Sequence, residues 1–209
     1  MMAAGSDLRP GDHAAFFYRH RSEQFACAIP YIQCGLDRNE RCLYIADNNS
    51  VPRFLQELEK VGIDIDAARR SGALTVATKR ETYLKHGGFE PDKMIAALKE
   101  EAARSRELGF TGFRASGEMT WALESPTWLK TVIEYEAKLE GERPPGTTLL
   151  CQYDETRFPE RLISEMIRVH PKVIARGGLR PNPFHRPPDA GTGACQEQIS
   201  IEMLLSPVR

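Results

Sequence analysis

The sequence predicts an α/β domain: a three-layer sandwich with a mainly parallel sheet, closed by a C-terminal antiparallel hairpin. Three observations predict it. Short apolar runs alternate with amphipathic helical stretches along most of the chain, the pattern of successive βαβ units. The runs FFY, LYIA, LTVA and TLL are apolar on consecutive residues, as expected of strands covered on both faces. Late in the chain a Gly177-Gly178 pair follows PKVIAR and signals a hairpin.

The elements follow in order. HAAFFY, His13 to Tyr18, suits a buried first strand. Ser22 caps a helix to about Leu36, with Phe25, Ile29, Ile32 and Leu36 on one face. Cys42 to Ala46 is the second strand. A polar turn, Asp47 to Ser50, leads to a helix with Pro52 in its first turn. Phe54, Leu55, Leu58 and Val61 face inward there, and Gly62 ends it. A short helix spans Asp64 to Ser71, and a strand spans Ala73 to Thr78. After the long connection ETYLKHGGFEPDK, Pro91 opens a helix that turns Met94, Ile95, Leu98, Ala102 and Leu108 inward. Phe113 to Ser116 is a buried strand that stops at a glycine. A helix from about Ser125 to Leu139 precedes a strand over Thr148 to Asp154. Pro159 opens the last helix, with Leu162, Ile163, Met166 and Ile167 apolar. The domain spans about 8–185. From Arg186 to Arg209 a proline-, glycine- and polar-rich stretch reads as a flexible tail, ending in a short apolar run, ISIEMLL.

Composition narrows the function. The chain has 209 residues and a formal net charge of -1, which argues against a dedicated nucleic-acid surface. The cysteines, Cys27, Cys34, Cys42, Cys151 and Cys195, are odd in number and form no CxxC. The N-terminus lacks the apolar core of a secretory signal, and nothing approaches the roughly 20 apolar residues of a membrane span. A cytoplasmic chain with reduced thiols and no membrane partner is the expectation.

Two strand exits carry unusual residues. GFTGFRASGEMTWAL, Gly109 to Leu123, delivers Glu118 and Trp121 past a strand end, and TLLCQYD does the same for Cys151 and Tyr153. Ligands of open α/β sheets bind at the carboxyl ends of the strands. The first strand is followed by YRHRSEQF, where a nucleotide-binding domain would carry glycines, and no GxxxxGK[ST] is present. Glu23 sits in the first turn of the next helix, where it satisfies the dipole and repels phosphate. ATP hydrolysis is therefore not expected, and no catalytic residue or cofactor is assigned.

Glu118 can be read as a pocket base or ligand, or as a carboxylate capping backbone donors; both readings stay open. Trp121 packs or walls a pocket. His13 reads as a buried hydrogen-bonding histidine and His170 as a helix-end residue favoured by the dipole. His13, Cys151 and Glu118 have ligand types that suit zinc. No local pair has metal-like spacing, so no metal is expected, and Cys151 reads as a buried structural thiol. Glu81 to Leu84, with His86, Gly87 and Gly88 behind them, form either a lid or a surface excursion. EYEAKLEGE, Glu134 to Glu142, reads as an exposed helix edge.

The order of motifs is more specific than any one of them. The series runs GDHAAFFY, GLDRNERCLYIAD, GIDIDAARRSGALTVAT, ETYLKHGGFEPDKM, GFRASGEMTWAL, EYEAKLE, LLCQYD and VHPKVIARGGLRPNPF. It closely resembles the MEDS domain, the sensory domain named from methanogen and methylotroph regulators and from DcmR, over roughly Leu8 to His185. The resemblance implies a degenerate RecA/KaiC-like fold whose phosphate loop is lost between Tyr18 and Phe25. It implies a signal-sensing module for small hydrocarbon derivatives such as halogenated or methylated one-carbon compounds. By motif match, the family's characteristic positions fall on His13, Tyr18, Tyr44, Glu81, Glu118, Trp121, Cys151, Tyr153 and His170. Relatives are usually joined to a helix-turn-helix, a histidine kinase or an anti-sigma-type kinase domain, and none of these is expected after Pro187.

The resulting expectation is a non-catalytic sensory domain that binds a small organic ligand at the carboxyl edge of the sheet. Glu118 and Tyr153 would make polar contacts, Trp121 a wall, and His13 and Cys151 the floor. The signal would pass to a separate kinase, anti-sigma-type regulator or transcription regulator, without direct nucleic-acid binding; a homodimer is left open. Two alternatives stand beside it: a metal- or thiol-dependent hydrolase using Cys151, Glu118 and His13, and an interaction module with a vestigial pocket.

Overall fold

A computed structural model describes residues 4–47 and 51–187. The turn expected at Asn48 to Ser50 and the tail beyond 187 lie outside the described residues. Seven strands form one sheet in the order β3-β2-β4-β5-β1-β6-β7. They are β1 (His13–Tyr18), β2 (Glu40–Ala46), β3 (Leu74–Thr78), β4 (Gly112–Glu118), β5 (Thr147–Asp154), β6 (Lys172–Ala175) and β7 (Gly178–Pro181). All neighbours are parallel except β6 and β7, which pair antiparallel. The helices are α1 (Arg21–Asp37), α2 (Val51–Lys60), α3 (Ile65–Arg70), α4 (Pro91–Glu107), α5 (Pro126–Glu142) and α6 (Glu160–Val169). The α/β three-layer expectation is thus met, hairpin included.

Strand alternation sorts the side chains into two cores. On one face Ala15, Phe17, Phe113, Ala115, Leu149 and Cys151 pack under α4, α5 and α6. On the other, Ala14, Phe16, Cys42, Tyr44 and Leu150 pack under α1 and α2. The second core holds an ion pair that is shut off from water: Arg114 Nε donates to Glu40 Oε2 at 2.6 Å. The Arg114 guanidinium also lies over the Tyr31 ring, 4.5 Å from its centroid. A charge at this depth persists only when paired and hydrogen-bonded.

Several boundaries differ from the sequence reading for physical reasons. β2 begins at Glu40, two residues earlier than its apolar run, because Arg114 neutralises that carboxylate inside the core. β4 does not stop at Gly117 but pairs through it to Glu118. Gly117 serves close approach instead: a Cβ there would lie 2.0 Å from the Tyr83 hydroxyl oxygen. The hairpin turn is Arg176-Gly177, with φ of 50 and 75 at the two residues, while Gly178 already belongs to β7. Two positive φ values match the twist of a two-residue hairpin loop. Val61 and Leu108, expected inward, are 44% and 52% exposed, because each lies past the end of its helix.

The largest difference is on α5. Its EYEAKLEGE segment is not an exposed edge: Tyr135, Glu136 and Leu139 are buried. With Val132 they sit three and four residues apart on one helix face, the face that meets the sheet. Glu136 is carried into the core by that face.

Candidate functional site

The centre of the molecule on the α4–α6 face is polar. His13 is the first residue of β1, Cys151 lies inside β5, Glu136 projects from the middle of α5, and His170 follows the last turn of α6. All four are buried, the side chains of His13, Glu136 and His170 completely. Glu136 Oε2 lies 3.4 Å from His13 Nε2, 3.6 Å from His170 Nε2 and 3.4 Å from Cys151 Sγ. Cys151 Sγ lies 3.5 Å from His13 Nε2. The two imidazole rings are tilted against each other with centroids 4.3 Å apart.

An outer layer fixes the orientation of each of these groups. His13 Nδ1 donates to Glu140 Oε2 at 2.9 Å, and Glu140 in turn pairs with Arg143. His170 Nδ1 donates to the Met166 carbonyl at 2.6 Å. Tyr153 Oη donates to the other Glu136 oxygen at 2.9 Å. Carboxylates and carbonyls only accept, so both rings carry a proton on Nδ1 and turn Nε2 toward Glu136. The sequence explains the placement. Cys151 and Tyr153 alternate onto the face that also carries His13, and His170 is held where α6 stops before Pro171.

The electrostatics follow from this packing. Burial alone would push the Glu136 carboxyl up; the hydrogen bonds and charge of His13 and His170 overcome it and hold the group well below the usual carboxylate range. Burial would lower His13, but Glu136 and Glu140 raise it above an ordinary histidine. Burial, and then the nearby His13 charge, lower His170. Burial, reinforced by Glu136, holds the Cys151 thiol well above an ordinary cysteine. As a bare thiol, Cys151 is thus a poor nucleophile.

The remaining sequence-derived positions fall elsewhere. Glu118 lies on the opposite face of the sheet, where Tyr44 Oη donates to its Oε1 at 2.6 Å and the Asp47 amide donates to its Oε2 at 3.1 Å. The expected Cys151–Glu118–His13 trio is therefore not assembled, and Glu118 does not share a pocket with Trp121 and Tyr153. Burial and the Glu118 charge push the Tyr44 phenol well up. Trp121 is enclosed, stacked on Tyr83 with centroids 4.8 Å apart and tilted against Phe89 at 4.7 Å. Its Nε1 is buried without a hydrogen-bond partner. Glu81 accepts from the Thr78 amide and hydroxyl at 2.7 and 2.8 Å, pinning the start of the 79–90 segment. Tyr18 lines a cleft of about 360 Å³ at the carboxyl end of β1, with Arg19, Arg21, Gln24, Asp154 and Arg157.

A second cavity, about 550 Å³, lies between the 79–90 segment, α4 and the β2–β3 edge of the sheet. Leu43, Ala77, Tyr83, Met94 and Leu98 form its apolar lining, with Glu81, Lys85 and His86 around it.

Sequence reasoning grouped His13 and Cys151 with Glu118, read His170 as a helix-end residue, and missed Glu136 and Glu140. The signal for Glu136 was present: a carboxylate on the same helical face as Val132, Tyr135 and Leu139 enters the core and needs buried partners.

Among the described residues no helix is long and apolar enough to cross a membrane. No curated protein matches the sequence. Among solved structures, the chain is similar to a KaiC-like protein from the hyperthermophilic archaeon Pyrococcus horikoshii OT3. The TM-score is 0.55 at 11% identity, over 78% of this chain and 70% of that one. At that identity the likeness shows the fold alone, and it shows the RecA/KaiC-like layout that the sequence implied. The sequence profile described as the MEthanogen/methylotroph, DcmR Sensory domain matches residues 12–171, from just before β1 to just before β6. The chain belongs to the MEDS family of sensory domains.

Proposed function

We propose that this domain binds a small organic ligand, a hydrocarbon derivative, and passes the signal to a separate regulatory protein such as a kinase, an anti-sigma-type regulator or a transcription regulator. The reading is non-catalytic. The observation that carries it is the 550 Å³ cavity roofed by the 79–90 segment. Its size suits a small molecule, and its apolar lining with a few polar groups is the usual make-up of such sites.

The roof is mechanically coupled to the family's signature motif. Tyr83 stacks on Trp121, and its hydroxyl rests over Gly117 where no side chain would fit. A ligand that lifts or tightens the Tyr83 ring therefore acts directly on the GEMTW segment. Movement of the segment would change the surface offered to the partner.

Calorimetric titration with short halogenated and methylated hydrocarbon derivatives tests the reading. Ala97→Trp fills the cavity from its exposed α4 side. Binding heat in the unmodified protein that disappears in Ala97→Trp supports the proposal. No heat across the series, or equal heat in both proteins, contradicts it.

A further inference from the structure

His13, Glu136, Cys151 and His170 form a buried cage in which each offers one ligand atom, all within 4.8 Å of one another. Four edges among these groups measure 3.4, 3.4, 3.5 and 3.6 Å. A tetrahedral ion with arms of zinc–nitrogen and zinc–sulfur length has edges of about 3.3–3.8 Å.

The cage presents lone pairs to its own centre. His170 Nδ1 is committed as donor to the Met166 carbonyl, so a neutral His170 turns a bare Nε2 inward. That atom is buried and has no hydrogen-bond partner. Glu136 Oε2, 3.6 Å away, is itself an acceptor. His13 Nδ1 is committed to Glu140 in the same way, so its Nε2 also points at Glu136 and Cys151. The Cys151 thiol hydrogen and a proton on His13 Nε2 can each reach Glu136, but His170 Nε2 is left with no donor. A cation at the centre would satisfy all four groups at once.

We propose that His13, Glu136, Cys151 and His170 bind one divalent transition ion of the zinc class, in a four-coordinate site. A thiolate, two imidazoles and one carboxylate select such an ion over magnesium or calcium, which take oxygen shells. The outer layer is the kind that metal-binding histidines use: a carboxylate, Glu140, on one ring and a backbone carbonyl on the other. Tyr153 holds the carboxylate's second oxygen, which favours one-oxygen ligation by Glu136. All four positions are filled by protein and shut off from solvent, so no position is left for a substrate or a reactive water. The site is of the closed kind, which ties strands to helices, rather than the open kind, which hydrolyses. It joins β1, β5, α5 and the α6–β6 junction through one point. It is distinct from the cavity under Tyr83, and the two proposals stand or fall separately.

The test uses the full chain, purified without chelator from cells supplied with zinc, and then the stripped protein reloaded with cobalt. Elemental analysis should find one zinc per chain. The cobalt form should show the visible bands of a tetrahedral ion together with a near-ultraviolet thiolate-to-cobalt band. Glu136→Gln and His170→Gln should lower the metal content severalfold, and Cys151→Ser should remove the thiolate band. Cys34→Ser, a thiol outside the cage, should change nothing. Circular dichroism on each variant reports folding. If the cage variants do not fold, alkylation of the cobalt-loaded unmodified protein decides the point, because the ion should shield Cys151 from reagent until a chelator is added. A folded, unmodified protein that retains no metal after loading overturns the proposal. So does metal bound equally by the folded cage variants, or a thiolate band that survives Cys151→Ser.

Discussion

His13 Nε2 lies 3.4 Å from Glu136 Oε2, and neither side chain is reached by solvent. A strand start and a helix middle thus meet through charge at the point where a core would normally be apolar. Glu136→Gln keeps the shape and removes the charge. It should destabilise the fold by roughly 3 kcal/mol, the lower end of the cost of breaking a buried pair. The denaturant midpoint would show this, whereas a change within experimental scatter would mean that Glu136 is not the charge holding His13.

A second buried pair gives a sharper comparison. Glu40→Ala leaves the Arg114 guanidinium enclosed with its principal acceptor gone, since its other contacts are the Tyr31 carbonyl at 3.3 Å and the Tyr31 ring. The expected loss is about 3–5 kcal/mol. Replacing both partners with apolar residues, Glu40→Leu with Arg114→Met, should recover most of it. Urea melts of the single and double variants would give the coupling. Additive losses would show that the two side chains do not depend on each other.

Gly117 is predicted to be the most size-sensitive position of the GEMTW segment. Its Cβ would meet the Tyr83 hydroxyl at 2.0 Å, and Tyr83 has no free direction because its ring is stacked on Trp121. Gly117→Ala should therefore push the 79–90 segment off the core, costing about 1–3 kcal/mol. Limited proteolysis should then cut within that segment before any other described region. Unchanged cleavage would separate Tyr83 from the role of anchor.

Thiol reactivity follows burial. Burial pushes the Cys42 thiol up to about 12, and Cys27 is pushed still higher. In the folded protein at neutral pH both should resist alkylation, and Cys34, only half-buried, should react before them. Peptide mapping after brief labelling checks the order. Fast labelling of Cys42 in folded protein would contradict the packing of α1 against β2.

These residues also show what sequence could and could not convey. The parallel sheet was legible because strands covered on both faces carry unbroken apolar runs, as AAFFY in β1, CLYIA in β2 and LLC in β5. The motif GEMTWAL was legible as a marker, but its parts diverge in space: strand alternation sends Glu118 to Tyr44 on one face while Gly117 and Trp121 serve Tyr83 on the other. A pocket built from Glu118, Trp121 and Tyr153 was therefore excluded by a period of two that the motif itself carries. The His13–Glu136–Cys151–His170 centre was not legible from spacing, because its members come from four separate elements with no local pair. What hid it most was α5, where a charged stretch with one buried carboxylate looks like a solvated face. Val132, Tyr135 and Leu139 mark that face as internal once the helix is phased from them.

X-ray absorption at the zinc edge addresses the cage most directly. The bound ion should show a four-coordinate first shell of one sulfur at about 2.3 Å and three nitrogen or oxygen atoms at about 2.0 Å, with the multiple-scattering features of two imidazoles. The sulfur contribution should vanish in Cys151→Ser. A shell of nitrogen and oxygen alone in the unmodified protein, as a surface-bound ion would give, would contradict it.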